Sequence, residues 1–473
     1  MRGNKRWNAI AQACMAIGQL VVTLLLVRIL AVGDFGRVAM VYLVSGLVAV
    51  LDEGGLSTML VSADERRGER LSSAFWQEVL MGVALASAVA LLAPVIELAF
   101  AQPGLRSFLY ALAPMFVLTA PRRHAQAVLS RDYDFYGMSI ARVMAAAIFV
   151  AVTVALALAG YGVWSLVIGL VCRMGTESAG FVLAARGRLG VSRPPWGYLR
   201  SGYGWSGVVK VGERFLNYAV DRVDLLIIGQ ALGPTALGVY DVFKRLSIGV
   251  YQQVIPAFSR VLLPHLARLQ SEPLVLAKAY ARQLRYICSL LFPAYLFQAV
   301  FAADLIAVVF GGEWVAYTSI FRWISLLLLV RSVNGPVDAL LMARGWVKRE
   351  LAYSLVAVGL VAGALLYAIG EGLEAAVVSV TVINLAMCVP VYVWIVRPAG
   401  FVGRSQYARA LGGPLLVAAL SAALAYASAN ALGDAPAMRL LVGLGILVVA
   451  SAVGSVLIDA SARRRLKAAL YPD

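Results

Sequence analysis

Three groups of polar and ionisable side chains interrupt otherwise apolar runs, and these are the places where the sequence is equipped to bind or move something. In the first, Glu213, Arg214, Asn217, Tyr218, Asp221, Arg222 and Asp224 cover about half of a helix circumference, while Phe215, Leu216, Ala219, Val220, Val223, Leu226 and Ile227 fill the other half. In the second, Asp241, Lys244, Arg245 and Gln252 cluster on one side of the next run, with Tyr240 and Tyr251 at its margin. In the third, Arg331, Asn334 and Asp338 are spaced i, i+3, i+7 and share a face. Charge at bilayer depth is costly, so these faces are expected to meet a polar cavity or polar partners, not lipid. The competing reading is that Asp221, Arg222 and Asp224 are ion pairs that only lock helices together. Catalytic signatures are missing from the sequence: it has no nucleophile elbow, no phosphate-binding Gly-Lys-Ser/Thr, no paired metal-ligand histidines and no cofactor fingerprint. No catalytic residue, metal or cofactor is therefore expected, and the protein is not expected to be an enzyme.

The elements that hold these faces follow from composition. Of 473 residues, 61% are hydrophobic and 14% charged, far from the balance of a soluble domain. At roughly 20 residues per span, the apolar runs accommodate about fourteen transmembrane helices. Backbone groups in hydrocarbon must be satisfied internally, and runs this long make helices, not barrel strands. The first run, 8 to 30, is too long for a cleaved signal and is expected to persist. The three polar faces lie on the seventh (204 to 231), eighth (237 to 262) and tenth (315 to 341) runs. The net charge of +16 could mark a nucleic-acid binder, but its placement argues for topology. Arg66, Arg67 and Arg70; Arg122, Arg123 and Arg131; Arg186, Arg188, Arg193 and Arg200; and Arg463, Arg464, Arg465 and Lys467 fall on one side. The other side has little beyond Arg37, Arg106 and Arg439. Both termini are therefore expected to be cytoplasmic, and no nucleic acid is implied. Cys14, Cys172, Cys288 and Cys388 lie in apolar runs and read as core residues. His124 and His265 read as solvated loop residues, Asp52 and Glu53 as shaping a turn, and Trp164, Trp196, Trp205, Trp314 and Trp323 as an interfacial belt.

An internal repeat sets Leu30-Ala31-Val32-Gly33-Asp34-Phe35-Gly36 against Leu232-Gly233-Pro234-Thr235-Ala236-Leu237-Gly238. The first helix carries a muted polar stripe of Asn8, Gln12, Gln19 and Thr23, in which Gln12 aligns with Arg214 and Gln19 with Asp221. An offset of six helices preserves orientation and predicts parallel repeats with a site between them. The expected architecture is an all-α polytopic membrane protein. An N-terminal six-helix lobe (1–185), a cytoplasmic linker (186–203) and a C-terminal six-helix lobe (204–396) precede two additional helices and a basic tail (397–473).

Four stretches carry a family resemblance. They are RILAVGDFG at 28–36, DRVDLLIIGQALGPTALGVY at 221–240, IPAFSR at 255–260 with Leu263-Pro264, and FGGEW at 310–314. They resemble the polysaccharide transporter family, the Wzx-type oligosaccharide flippases that include colanic acid exporter-like proteins, of the multidrug/oligosaccharidyl-lipid/polysaccharide exporter superfamily. The resemblance implies movement of undecaprenyl-pyrophosphate-linked repeat units across a bacterial inner membrane by alternating access, in exopolysaccharide or lipopolysaccharide biosynthesis. Arg214, Arg222, Lys244, Arg245 and Arg331 would then attract the head group, since a pyrophosphate suits guanidinium forks and a compact ammonium. Asp221, Asp224 and Asp241 would set local charge and carry a coupling proton or sodium ion. Polymerase and export machinery are the implied partners. Two other readings stay open: a cation-coupled drug or small-molecule antiporter of the same superfamily, and a membrane enzyme of polysaccharide assembly such as a polymerase or ligase.

Overall fold

The computed structural model describes residues 2–48, 68–132, 134–189, 212, 215, 218, 222–269, 271–400, 402–432 and 435–458. Every regular element among them is helical. Among the described residues nine helices are long and apolar enough to cross a membrane, or up to ten if the bent pair Pro273–Val300 and Ala302–Val309 is one span. The helices Lys348–Glu371 and Pro436–Gly454 bury only 11% of their most apolar windows inside the protein. Their outward side chains are nevertheless apolar, as at Leu366, Leu441 and Val449. Water would not tolerate such surfaces at this length; hydrocarbon does.

The chain forms two compact units, Met1–Gly238 and Val239–Asp473. In the first, α1 (Arg2–Ile29), α2 (Phe35–Ser45), α3 (Gly68–Ala99), α4 (Leu105–Leu112), α5 (Pro114–Arg131), α6 (Phe135–Leu158) and α7 (Val163–Ala184) precede the start of α8 (Val223–Arg268). Helix α6 packs along both α1 and α7, and α5 packs against α3 and α7. Phe116, Phe149, Leu166 and Phe181 fill the interior between them.

The second unit takes the rest of α8 and continues with α9 (Pro273–Val300), α10 (Ala302–Val309), α11 (Thr318–Asn334), α12 (Val337–Ala343), α13 (Val347–Ala368), α14 (Leu373–Val391), the short α15 (Arg397–Gly400), α16 (Arg404–Leu432) and α17 (Pro436–Ile458). Helix α9 is central, with α11 and α16 against it; α14 packs on α11 and α17 on α16. Leu284, Cys288, Phe292, Leu340, Val396 and Ala410 are among its buried contacts. Trp314, expected in an interfacial belt, is instead 1% exposed and lies in an aromatic cluster with Phe243 and Phe310 at 5.7 and 5.4 Å. The short helical turn Gly312–Tyr317 before α11 folds the indole inward, so position near a span end did not decide its environment.

Helix α8 is interrupted at Gly233, whose φ of 80° and ψ of −175° suit a residue without a β-carbon. Pro234 follows at once and cannot donate to the preceding turn. The two glycines that the sequence repeat aligns, Gly36 and Gly238, lie against each other within the first unit. A β-carbon on Gly238 would sit 2.6 Å from the Gly36 nitrogen, and one on Gly36 would sit 2.5 Å from Pro234 Cβ. Close backbone approach of this kind is how helices pack where lipid supplies no hydrophobic drive. Gly238→Val is expected to destabilise the purified protein by about 1–3 kcal/mol through overpacking. Gly359→Ala, whose β-carbon would meet nothing within 4 Å, is expected to leave stability unchanged; thermal unfolding in detergent measures both.

Candidate functional site

In the second unit, the post-break part of α8 presents Asp241, Lys244 and Arg245 one helical turn apart. Their spacing of i, i+3 and i+4 puts them on one face. Asp241 is 3% and Lys244 8% exposed. Arg245 forms an ion pair with Asp241 along the helix. The Lys244 ammonium lies 5.4 Å from the ring centroid of the buried Tyr240, where the aromatic quadrupole favours a cation. The trio therefore contains two cations and one carboxylate. One turn further on, Ser247 accepts a hydrogen bond at its backbone carbonyl from Tyr295 Oη, at 3.3 Å.

Arg331 lies near the middle of the candidate span Gly312–Ala343 and is half-buried at the end of α11. Gly335 and Pro336 separate α11 from α12, where Asp338 occupies the first turn. Side chains of α8 reach the break: a β-carbon on Gly335 would sit 2.5 Å from Ile255 Cδ1 and 3.3 Å from Tyr251 Oη. Tyr295 and Tyr353 lie within electrostatic range of Arg331. The buried Asn334 Oδ1 has no hydrogen-bond partner among the described residues. Arg331, Asn334 and three tyrosines thus gather hydrogen-bonding groups around a broken helix, the arrangement that transporters use to present polar groups at depth. Among the described residues no hydrogen bond or ion pair joins Arg331 to the Asp241, Lys244 and Arg245 trio.

In the first unit, Arg222 is half-buried with its guanidinium 5.5 Å over the Tyr218 ring, and Tyr218 Oη donates to the Leu43 carbonyl at 2.6 Å. Asp224, 8% exposed, accepts from the Leu225 amide at the start of α8, where the helix dipole favours a carboxylate. Arg214, Asp221, Asp52 and Glu53 lie outside the described residues, as does the side chain of His265.

Two clusters in this unit were missed in the sequence. The sequence places Arg122, Arg123 and His124 on the solvated inner side, yet they sit within α5 at 5%, 6% and 1% exposure. Arg122 pairs with Glu177 of α7 at 3.6 Å, Arg142 of α6 pairs with the same carboxylate at 3.7 Å, and Arg123 pairs with Glu78 of α3 at 3.2 Å. His124 Nε2 lies 2.8 Å from the Leu189 carbonyl, with the Phe75 ring edge-on at 5.2 Å. A carboxylate on a neighbouring helix at matching depth compensates each guanidinium, and no local pattern in the sequence announces that partner. The second cluster is Arg173 of α7 with Gln19 of α1 and Tyr42 of α2: Arg173 Nη1 donates to Gln19 Oε1 at 3.4 Å and Gln19 Nε2 donates to Tyr42 Oη at 2.8 Å. The signal available was a lone arginine in the centre of an apolar run, opposite a glutamine already noted on the first helix.

Among the described residues no group of three or more His, Cys, Asp or Glu is placed to hold a metal ion. The arrangement suits recognition of an anion by fixed cations and hydroxyls.

Residues 25–319 match a family profile described as "Polysaccharide biosynthesis protein". The chain is 22% identical over 344 residues to the lipopolysaccharide biosynthesis protein WzxC of Escherichia coli (strain K12), covering 72% of this chain and 69% of that protein. Its fold superposes on the lipid II flippase MurJ in an inward closed conformation with a TM-score of 0.74 at 12% identity, covering 95% and 98% of the two chains. An inward-facing multidrug resistance MATE family transporter of the MOP superfamily gives 0.64 at 13% identity, covering 81% and 94%. At these identities the structural likenesses show a shared fold.

Glu177→Gln is expected to cost about 3 kcal/mol, because it leaves buried guanidinium charge undercompensated. Arg188→Ala, which removes the exposed pairs to Asp132 at 3.3 Å and Asp134 at 3.4 Å, is expected to cost less than about 1 kcal/mol. Denaturant titration of the detergent-solubilised variants checks the contrast.

Proposed function

The chain belongs to the polysaccharide biosynthesis protein family, and from that premise we propose that it is a lipid-linked oligosaccharide flippase. It is a multi-pass membrane transporter whose cargo is an undecaprenyl-pyrophosphate-linked repeat unit, carried from the cytoplasmic to the periplasmic leaflet of a bacterial inner membrane. The architecture of this reading has fourteen helices: six-helix lobes at 1–185 and 204–396 joined by the linker 186–203, then two helices and a basic tail at 397–473. Both termini are cytoplasmic, and transport proceeds by alternating access.

The observation that carries the reading is the trio on α8, where two cations and one carboxylate, Lys244, Arg245 and Asp241, share one face beside the buried Tyr240 ring. A pyrophosphate entering this environment replaces its hydration with fixed cationic donors, and the head group crosses while its lipid tail stays in hydrocarbon. Arg214, Arg222, Arg245 and Arg331 complete the attraction. Asp241, Asp224 and Asp221 carry the coupling proton or sodium ion, whose arrival loosens a carboxylate's hold on a neighbouring cation. The sugar chain leaves on the far side for a polymerase.

The MATE-like fold supports the antiporter as a second reading. A cationic-drug exporter gains affinity from unpaired carboxylates, however, and Asp241 is already engaged by Arg245. Deleting the gene separates the readings. A flippase deletion leaves the lipid-linked intermediate on the inner leaflet and stops polymer export, whereas an antiporter deletion changes drug susceptibility with export intact. Arg222→Ala and Lys244→Ala are expected to lower polymer export at least tenfold while the protein reaches the membrane at wild-type levels. Full export by the double variant would remove the cavity role assigned to these residues.

A further inference from the structure

The first unit contains a cation that neither the ion-pair network nor the α8 trio explains. Arg173 is at the centre of the candidate span Val163–Ala184, about 15 Å from either end at 1.5 Å per residue. That is too deep for its side chain to snorkel to an interface. Its guanidinium lies 5.7 Å over the Phe149 ring, in a space bounded by α1, α6 and α7. It is half-buried, so part of it remains accessible. In this unit the guanidinium groups of Arg122, Arg123 and Arg142 each have a carboxylate within 3.7 Å, while that of Arg222, just before α8, lies over the Tyr218 ring. Among the described residues Arg173 has no such carboxylate; it makes one long bond to a neutral amide.

The setting of that amide is informative. Gln19 is held at both ends, accepting from Arg173 and donating to Tyr42 Oη, so its orientation is fixed and the guanidinium plane is fixed with it. The 3.4 Å bond occupies one of the five guanidinium donors. An arginine at a helix centre is costly when nothing compensates it. A fold that buries three other arginines on carboxylates had that solution available at this position and does not use it.

We propose that Arg173, oriented by Gln19, is an anion-receiving group of the first unit that engages the diphosphate of the carrier lipid. The proposal rests on the flippase reading and adds to it a residue, a site within Met1–Gly238 and a preference. A planar fork with several free edges prefers a diphosphate, which offers oxygens on two phosphorus atoms, over a monophosphate. The aromatic face of Phe149 and the polar string from Gln19 to Tyr42 hold the fork rigid, so little ordering is left to occur when the head group arrives.

The test uses the purified full chain in phosphatidylcholine nanodiscs, titrated with undecaprenyl pyrophosphate, undecaprenyl monophosphate and undecaprenol. Wild type is expected to bind the pyrophosphate lipid at least tenfold more tightly than the alcohol. Arg173→Gln is expected to weaken the pyrophosphate lipid tenfold or more and leave the alcohol unchanged, and Arg173→Lys to recover part of the loss, having charge without the fork. Gln19→Leu, which keeps the cation but frees it, is expected to weaken the pyrophosphate lipid about threefold, and it carries the measurement if Arg173→Gln fails to fold. Inorganic pyrophosphate should compete with the lipid in wild type, identifying the phosphate chemistry apart from the tail. Pyrophosphate-lipid binding within twofold of wild type in Arg173→Gln, or in both Arg173→Lys and Gln19→Leu if that variant misfolds, overturns the role of Arg173 alone. A wild type that binds all three lipids equally overturns the flippase reading and this inference with it. Loss of binding to cardiolipin-containing discs with the pyrophosphate lipid unaffected makes Arg173 a structural phospholipid contact and also overturns the proposal.

Discussion

The cost of charge in a medium without water governs how this chain is built. Hydrocarbon leaves a buried guanidinium or carboxylate three outcomes: a partner of opposite sign, a polar cavity, or a place at the interface. The first unit adopts the first outcome in the cluster of Arg122, Arg142 and Glu177 and in the pair of Arg123 with Glu78. The second unit adopts it at Asp304 and Arg439, which meet at 3.5 Å where α10 packs on α17. These pairs bind helices that share little sequence proximity, and their stability value lies in the penalty for losing either member. Arg173 differs, because among the described residues its contacts are a neutral amide and an aromatic ring.

Breaks in the helices serve the same constraint. A continuous helix satisfies its backbone internally and offers a ligand only side chains. At Gly233-Pro234 and at Gly335-Pro336 the hydrogen-bond ladder is interrupted, and both interruptions adjoin the polar faces. Near the second, the absence of a β-carbon lets Ile255 and Tyr251 approach, so that the break is a tightly packed joint. The consequence is a local concentration of hydrogen-bonding groups in an otherwise apolar unit, with the neighbouring aliphatic residues keeping it in place.

Much of this was legible in the sequence because composition and periodicity respond to the bilayer directly. The helical class, the presence of multiple membrane-crossing helices and the polar face of α8 all follow from where charge interrupts apolar runs; the expected count of fourteen stands against nine or ten candidate spans among the described residues. The alignment of Gly36 with Gly238 was also legible, and their mutual contact gives it a physical meaning, since both positions have lost the side chain that would keep two backbones apart. What the sequence concealed was pairing. Arg122 and Arg123 looked like topogenic loop charges because their neighbours in sequence are polar; the carboxylates that let them bury are contributed by α3 and α7. Trp314 was concealed for the same reason, since its aromatic partners Phe243 and Phe310 belong to other stretches of the chain. Local pattern reveals that a residue is out of place in lipid, and only the fold reveals what receives it.

That distinction also bears on how cations are divided between structure and transport. An arginine with a carboxylate at fixed distance has its field largely cancelled, so it contributes little to attracting a diphosphate from outside. Lys244 has an aromatic face near its ammonium, next to the ion pair of Arg245 with Asp241. Under the proposed reading, an incoming anion would compete with one long bond to a neutral amide at Arg173 and with a full ion pair at Arg122. The weaker competitor yields more readily, and a carrier that must release its cargo gains from moderate attraction at several sites more than from one tight site. An Arg173 with no carboxylate partner among the described residues, against full compensation at Arg122 and Arg123, is the pattern that the proposed transport role would select.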